Sequence, residues 1–312
     1  MTGFIGGFVE GFVEVLVFGL QDGAIIAFVG LGIALVFKAT RIINFGQGEL
    51  GTVPAFAALL MMSSFDLDRT VSDSTFVLIV ATLLAVALGA GLGVLMNVIV
   101  VRRLASASPV TSLVATAGVM LLLVAIQVIA FEPRGRSFPR FIDGKFGIPG
   151  FDVEMAWHTV VIIAVLAASA AALALFFRTP PGVALLATAQ DPFAAELQGV
   201  PVARMRTLAW GAAGALGALG GVLGAGVFEN LSPGLMTSTF LIPAFTGVVL
   251  GGITSMVGAV VGGLAIGFIT NGANKLVAVF ELDVPGPPFA ATFVVLLLVL
   301  LFRPRGLFGQ EA

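Results

Sequence analysis

The sequence predicts an all-α polytopic membrane protein with about eight to nine transmembrane helices, some short or broken, and a short helix in a cytoplasmic loop. Three observations carry this prediction. The 312 residues are 59% hydrophobic and only 10% charged, against about 25% charged residues in a soluble domain. Apolar stretches of about 20 residues, each enough to cross a ~30 Å hydrocarbon core, recur along the chain between short polar links. Basic residues collect at alternate links, as the cytoplasmic bias of Lys and Arg requires. The chain has no Cys and one histidine, His158. This removes disulfides, thiol nucleophiles and His-clustered metal centres, and no metal site is expected.

Residues 4–17 place Phe4, Phe8, Phe12 and Leu16 at i, i+4 spacing with Glu10 and Glu14 on another face. That pattern suits either the start of the first span or a helix lying at the surface. Gln21-Asp22-Gly23 is expected to interrupt it before the first span runs on to about Phe37. Lys and Arg are absent from residues 1–37, so the positive region of a cleaved signal peptide is missing. Residues 42–62 form a second, short segment broken early by Asn44, Gly46, Gln47, Gly48 and Glu49. Phe76–Val101, Pro109–Phe131 and Met155–Phe177 follow as spans three to five. Thr207–Phe228, 240–256, 258–280 and Phe289–Phe302 complete nine. Loops 132–154 and 229–239 are expected outside.

Nine of the 15 basic residues (Lys38, Arg41, Arg102, Arg103, Arg178, Arg204, Arg206, Arg303 and Arg305) then fall inside. Arg69, Arg134, Arg136, Arg140, Lys145 and Lys275 fall outside. This orientation puts the N-terminus out and the C-terminus in. The loop 178–206 becomes the long cytoplasmic one.

Within that loop, Asp191–Gly199 (DPFAAELQG) reads as a helix with both ends specified. Asp191 caps the first amides, and Pro192 occupies a first-turn position that needs no N–H. Gly199 can take the left-handed conformation that stops a helix, and Pro201 blocks a restart. About seven residues make a rod of roughly 10 Å, too short to stand alone and suited to docking.

Glycines line much of the sixth span and the stretch from Gly247 to Gly263. Gly217-x-x-x-Gly221 and Gly220-x-x-x-Gly224 are small-xxx-small pairs that let helix backbones approach closely. Intramembrane polar groups are costly and mark function or packing. The densest run, Arg41 to Glu49, suggests a broken or re-entrant segment beside a polar cavity. Asn44, Gln47 and Glu49 are the candidates for shaping a path near its inner end. Asn97, Gln127, Asn271 and Asn274 are isolated and suit helix–helix hydrogen bonds. Lys275 is expected to reach the outer surface along its stem, and His158 to be structural near an outer span end.

Several blocks resemble the shorter of the two paired permeases of ATP-binding-cassette importers for branched-chain amino acids. Residues 30–51, GLGIALVFKATRIINFGQGELG, are similar to that family's first conserved segment. Arg41, Asn44, Phe45, Gly48 and Glu49 match it, while Gly46-Gln47 stands where the family has Ala-His. Residues 179–206 resemble its cytoplasmic loop, with Thr179, Gly182, Asp191, Ala195 and Gly199 in place. Residues 243–268 resemble its glycine-rich late segment, and Phe302–Gly309 its ending.

The resemblance implies one transmembrane permease domain over 1–312, in the inner membrane of a prokaryote. It implies that Asp191, Pro192, Phe193, Ala194, Ala195 and Gly199 dock into an ATPase subunit, with Phe193 where the family's loop carries Glu. The implied partners are a second homologous permease, cytoplasmic ATPases that bind the ATP and magnesium, and an extracytoplasmic substrate-binding protein. No cofactor is expected in this chain. A P-loop needs Gly-Lys-Ser/Thr, and the three lysines precede Ala39, Phe146 and Leu276. A stand-alone ion-coupled transporter, the rival class, would need paired carboxylates at the membrane midplane. Urea or amides are the alternative substrates.

Overall fold

The computed structural model describes residues 2–64, 71–104 and 107–309. Arg69, placed outside above, lies beyond them, as do the side chains of Phe4 and Phe8. The described chain is all-α apart from four very short strands. Its helices are α1 (Thr2–Thr40), α2 (Glu49–Ser64), α3 (Val71–Ile99), α4 (Pro109–Phe131), α5 (Trp157–Phe176), α6 (Pro180–Gln190), α7 (Pro192–Leu197), α8 (Val202–Phe228), α9 (Ile242–Gly251), α10 (Met256–Val279) and α11 (Pro287–Phe302). Among the described residues, six helices are long and apolar enough to cross a membrane, and two shorter apolar helices end at Gly251 and Phe302. The chain is thus an all-α polytopic membrane protein.

Two expectations change. Gln21-Asp22-Gly23 does not interrupt the first helix, which runs unbroken through Thr40. Neighbours satisfy its polar groups: Thr159 Oγ1 donates to Gln21 Oε1 at 2.5 Å, and Asn271 Nδ2 to Asp22 Oδ2 at 2.9 Å. Gly23 meanwhile seats the backbone of Leu264, which a Cβ would meet at 2.8 Å. The loop 178–206 contains two helices rather than one, and α8 starts at Val202. The signal for α6 was present in Thr179-Pro180-Pro181, a cap position followed by proline at the first helical site.

The centre of the bundle is made by α1, α8 and α10, and glycine makes it possible. A Cβ on Gly263 would lie 2.7 Å from Ala27 Cα, and one on Gly267 2.3 Å from the Gly19 carbonyl, so α1 and α10 touch backbone to backbone. On the other side α3 meets α8 in the same way, a Cβ on Gly214 falling 2.0 Å from the Gly89 carbonyl. Peripheral helices turn apolar side chains outward: Leu121 and Ile129 of α4 are 63% and 84% exposed. An apolar outer wall on a glycine-packed core is the pattern of a bundle solvated by lipid.

These contacts repeat. α1 packs on α10 as α8 packs on α3, and α1 crosses α8 with Ile25 at Gly224, Phe28 at Gly220 and Gly32 at the Ala213 carbonyl. Numbers rise on one helix as they fall on the other, so the crossing is antiparallel. Both α2 and α9 follow an irregular turn, a 3-10 turn at Phe45–Gln47 and a π turn at Thr237–Leu241. Each carries Pro-Ala-Phe, at Pro54-Ala55-Phe56 and Pro243-Ala244-Phe245. The succession α1–α3 therefore recurs as α8–α10 with inverted direction, the inverted-repeat plan of many transport proteins.

At one end, β1 (Arg136–Ser137) pairs antiparallel with β4 (Asn230–Leu231), and β2 (Lys145–Gly147) with β3 (Glu154–Ala156). The segment 132–156 is thereby tied to the exit of α8. Arg140 adds an ion pair to Glu229 at 2.5 Å.

Gly89, Gly91 and Gly93 separate the packing requirement from helix propensity. A Cβ would strike the Gly214 carbonyl at 2.5 Å from Gly89 and the Trp210 carbonyl at 2.1 Å from Gly93, but would meet nothing within 4 Å at Gly91. Gly89→Ala and Gly93→Ala are expected to destabilise by about 1–3 kcal/mol. Gly91→Ala should be neutral or up to ~1 kcal/mol stabilising. Thermal unfolding of the three variants in one detergent checks this, and equal melting temperatures would contradict the α3–α8 contact.

Candidate functional site

Helix α1 ends with Arg41 in the left-handed region at φ 58°, and the chain then turns into the bundle. Asn44 fixes the turn. Its Oδ1 accepts from Gly46 N at 3.0 Å, and its Nδ2 donates to Gln47 Oε1 at 3.2 Å. Gln47 in turn donates from Nε2 to the Ala213 carbonyl at 2.9 Å. Its amide fills the notch left by glycines at the α1–α8 crossing. A Cβ on Gly32 would lie 2.1 Å from Gln47 Nε2, and one on Gly217 3.1 Å. From α4, Thr116 Oγ1 donates to the Ile43 carbonyl at 3.2 Å.

Glu49 opens α2 and is fully buried, as are Asn44 and Gln47. Gln127 of α4 donates from Nε2 to Glu49 Oε2. The same side chain accepts from Gly234 N at 3.2 Å through Oε1. The hydroxyls of Thr52 and Thr237 flank the carboxylate, and Thr52 Oγ1 accepts from Met236 N at 3.2 Å. Residues 229–239 leave the surface quickly, since Leu231 and Met236 are buried. The two irregular segments, 42–48 and 231–241, thus meet inside the bundle through a polar brace. Glu49 Oε1 and Thr237 Oγ1 have no hydrogen-bond partner there.

Gln47 faces Ala213 and Gly217, near the middle of the 27-residue α8. Gln127, Thr52, Thr116 and Thr237 belong to the same cluster. Gln127 was visible in the sequence only as an isolated polar residue, since its acceptor lies 78 positions away.

Helix α7 lies near the end of the bundle where α1 and α3 finish and α8 begins. Asp191 Oδ1 accepts from Phe193 N at 2.9 Å and Ala194 N at 3.0 Å. At the other end Gly199 adopts φ 80°. Gly199 N donates to Glu196 O at 2.9 Å and Val200 N to Ala195 O at 3.0 Å, the paired bonds of a Schellman cap. Ala195 packs inward, whereas Phe193 and Leu197 stand 71% and 72% exposed, one turn apart on one face. Around them the end is basic: Arg41, Arg102 and Arg206 line one cavity with Glu196 of α7, and Lys38 lies 5.2 Å over the Phe177 ring.

Other polar groups act in packing. Asn97 Nδ2 donates to Thr207 Oγ1 at 2.9 Å between α3 and α8, and Lys275 pairs with Glu14. Phe141 N donates to His158 Nδ1 at 3.2 Å, which leaves the ring proton on Nε2 to donate to the Leu223 carbonyl at 3.0 Å. Among the described residues no group of three His, Cys, Asp or Glu side chains could hold a metal ion.

Close-packed spans in inverted repeat around two broken segments, with a rigid capped helix at one end, are the features of a polytopic transport protein. Residues 15–303 match the family described as branched-chain amino acid transport system / permease component, and the chain belongs to that family. It is a permease component of a branched-chain amino acid ABC importer and a non-catalytic subunit. It is 28% identical to the high-affinity branched-chain amino acid transport system permease protein BraD of Pseudomonas aeruginosa, over 95% of each chain. To the corresponding protein LivH of Escherichia coli it is 25% identical over 94% of each. Among solved structures it aligns with that of PsaBC from Streptococcus pneumoniae in complex with Fab at 15% identity and a TM-score of 0.48, covering 96% of this chain and 97% of that one.

The brace makes a stability prediction. Gln127→Leu strips partners from both Glu49 Oε2 and Gly234 N and is expected to cost about 2–4 kcal/mol. Glu49→Gln keeps an acceptor for Gln127 and should cost less than about 1 kcal/mol. Thermal unfolding of both variants in detergent measures the difference.

Proposed function

We propose that this permease works as one half of a transmembrane pair and that α7 is its coupling element. The observation that carries the proposal is the exposed Phe193–Leu197 face on a helix capped at both ends. A helix of six residues has little stability of its own; Asp191 and Gly199 hold it in shape as a rigid docking peg. An aromatic and a leucine one turn apart suit a hydrophobic cleft on an ATPase subunit.

The α7 end faces the cytoplasm, and with it the C-terminus. Support comes from Lys38, Arg41, Arg102, Arg103, Arg178, Arg204, Arg206 and Arg303 flanking the helix ends there. The membrane is the inner membrane of a prokaryote. ATP and magnesium bind to the ATPase partners, whose closure moves α7 and shifts the bundle between outward and inward access. The segments 132–154 and 229–239, joined by β1 and β4, face the substrate-binding protein outside. Asn44, Gln47 and Glu49 shape the path from within, by holding the broken segment in position. The substrate is leucine, isoleucine or valine, by the family's description.

Two measurements on the assembled importer test this. Phe193→Ala with Leu197→Ala, and separately Asp191→Ala with Gly199→Pro, should abolish co-purification of the ATPase and reduce leucine uptake at least tenfold while the permease stays monodisperse. Uptake that persists with no ATPase bound would overturn the coupling role. Uptake of urea or amides in preference to leucine would reassign the substrate.

A further inference from the structure

We propose that the arginine-lined cavity beside α7 holds the phosphate of an anionic phospholipid, whose acyl chains lie in the groove between α3 and α8. The head of this site is a cavity of about 450 Å³ lined by Arg41, Arg102 and Arg206, with Asn97, Ser112 and Glu196. Three guanidinium groups face one carboxylate. Among the described residues Arg102 and Arg206 form no ion pair, and Arg206 Nε is buried without a hydrogen-bond partner. Guanidinium forks left unmatched around a cavity are complementary to a phosphate's oxygens.

The second half of the site is apolar. A groove of about 820 Å³ shares Arg102 and Glu196 with the first cavity and continues along Ala90, Val94, Gly211 and Ala215. Ala212 and Ala215 keep the α8 wall low. The neighbouring side chains Leu95 and Leu208 are 51% and 42% exposed, as expected of a wall facing acyl chains. A cationic head continuous with an apolar channel matches an amphiphile.

The two other occupants fit less well. A free phosphate leaves the groove unused. A protein helix seated there would bury the arginines without the carboxylates that such burial requires. The proposal does not rest on which side of the membrane this end faces. Because Glu196 belongs to α7, the lipid would border the helix whose position matters for coupling.

The test is native mass spectrometry of the full-length permease released from nanodiscs of phosphatidylglycerol and phosphatidylethanolamine in equal parts. The parent chain should retain phosphatidylglycerol selectively, and Arg102→Gln with Arg206→Gln should weaken retention roughly thirtyfold, as two interfacial charges predict. Ala215→Leu, which fills the groove without touching charge, should also weaken it. Arg178→Gln, at the same end but lining neither cavity, should not. Equal retention of the two lipids, or a double variant that binds like the parent, would overturn the proposal. Displacement by inorganic phosphate would assign the site to a free anion instead. Loss of a co-purifying permease partner with lipid retention unchanged would assign the groove to protein.

Discussion

The crossing of α1 and α8 is the constraint on which the rest depends. Two long helices run antiparallel through the middle of the bundle, and where they cross Gly32 and Gly217 make room for the amide of Gln47. No larger residue fits at Gly32 without expelling that amide, and the Gln47 amide then loses its bond to the Ala213 carbonyl. The outer helices pack on this pair: α10 on the free side of α1, α3 on the free side of α8. In lipid, where burial of apolar surface drives no helix association, such contact and buried hydrogen bonding must supply specificity.

The polar brace solves a second problem set by the membrane. Segments 42–48 and 231–241 depart from regular α-helix, so some of their backbone groups need partners that water cannot provide. Side chains supply them. Asn44 caps its own turn, Thr116 meets the Ile43 carbonyl, and Gln127 and Thr52 accept from the amides of Gly234 and Met236. The cost of Asn, Gln and Glu inside a bundle is thereby balanced against that of an unsatisfied backbone. The result joins the two repeat halves where each is irregular.

Much of this was legible in the sequence. The Asp191–Gly199 helix was readable because capping is local: its signals lie within nine residues of one another. The same holds for the break at Asn44–Glu49, where glycine and polar residues crowd a short apolar segment. The unbroken course of α1 was not readable, because the groups that neutralise Gln21 and Asp22 lie 138 and 249 positions away. The role of Gln127 was hidden for the same reason. The inverted repeat left one trace, Pro-Ala-Phe in α2 and α9, too short to stand out before the packing gave it meaning.

The braced crossing has a consequence for how the protein is made. Gln47 emerges from the ribosome 166 residues before its acceptor, an interval of roughly 10–30 s at ordinary rates of synthesis. During that time α1–α4 can be complete, yet α1 lacks both α8 and α10, and Asn44, Gln47 and Glu49 have only each other, Thr52 and Gln127 as side-chain partners. Insertion is therefore no simple succession of independent spans. The first half has to wait in the bilayer, its seam open, until the second half arrives to close it.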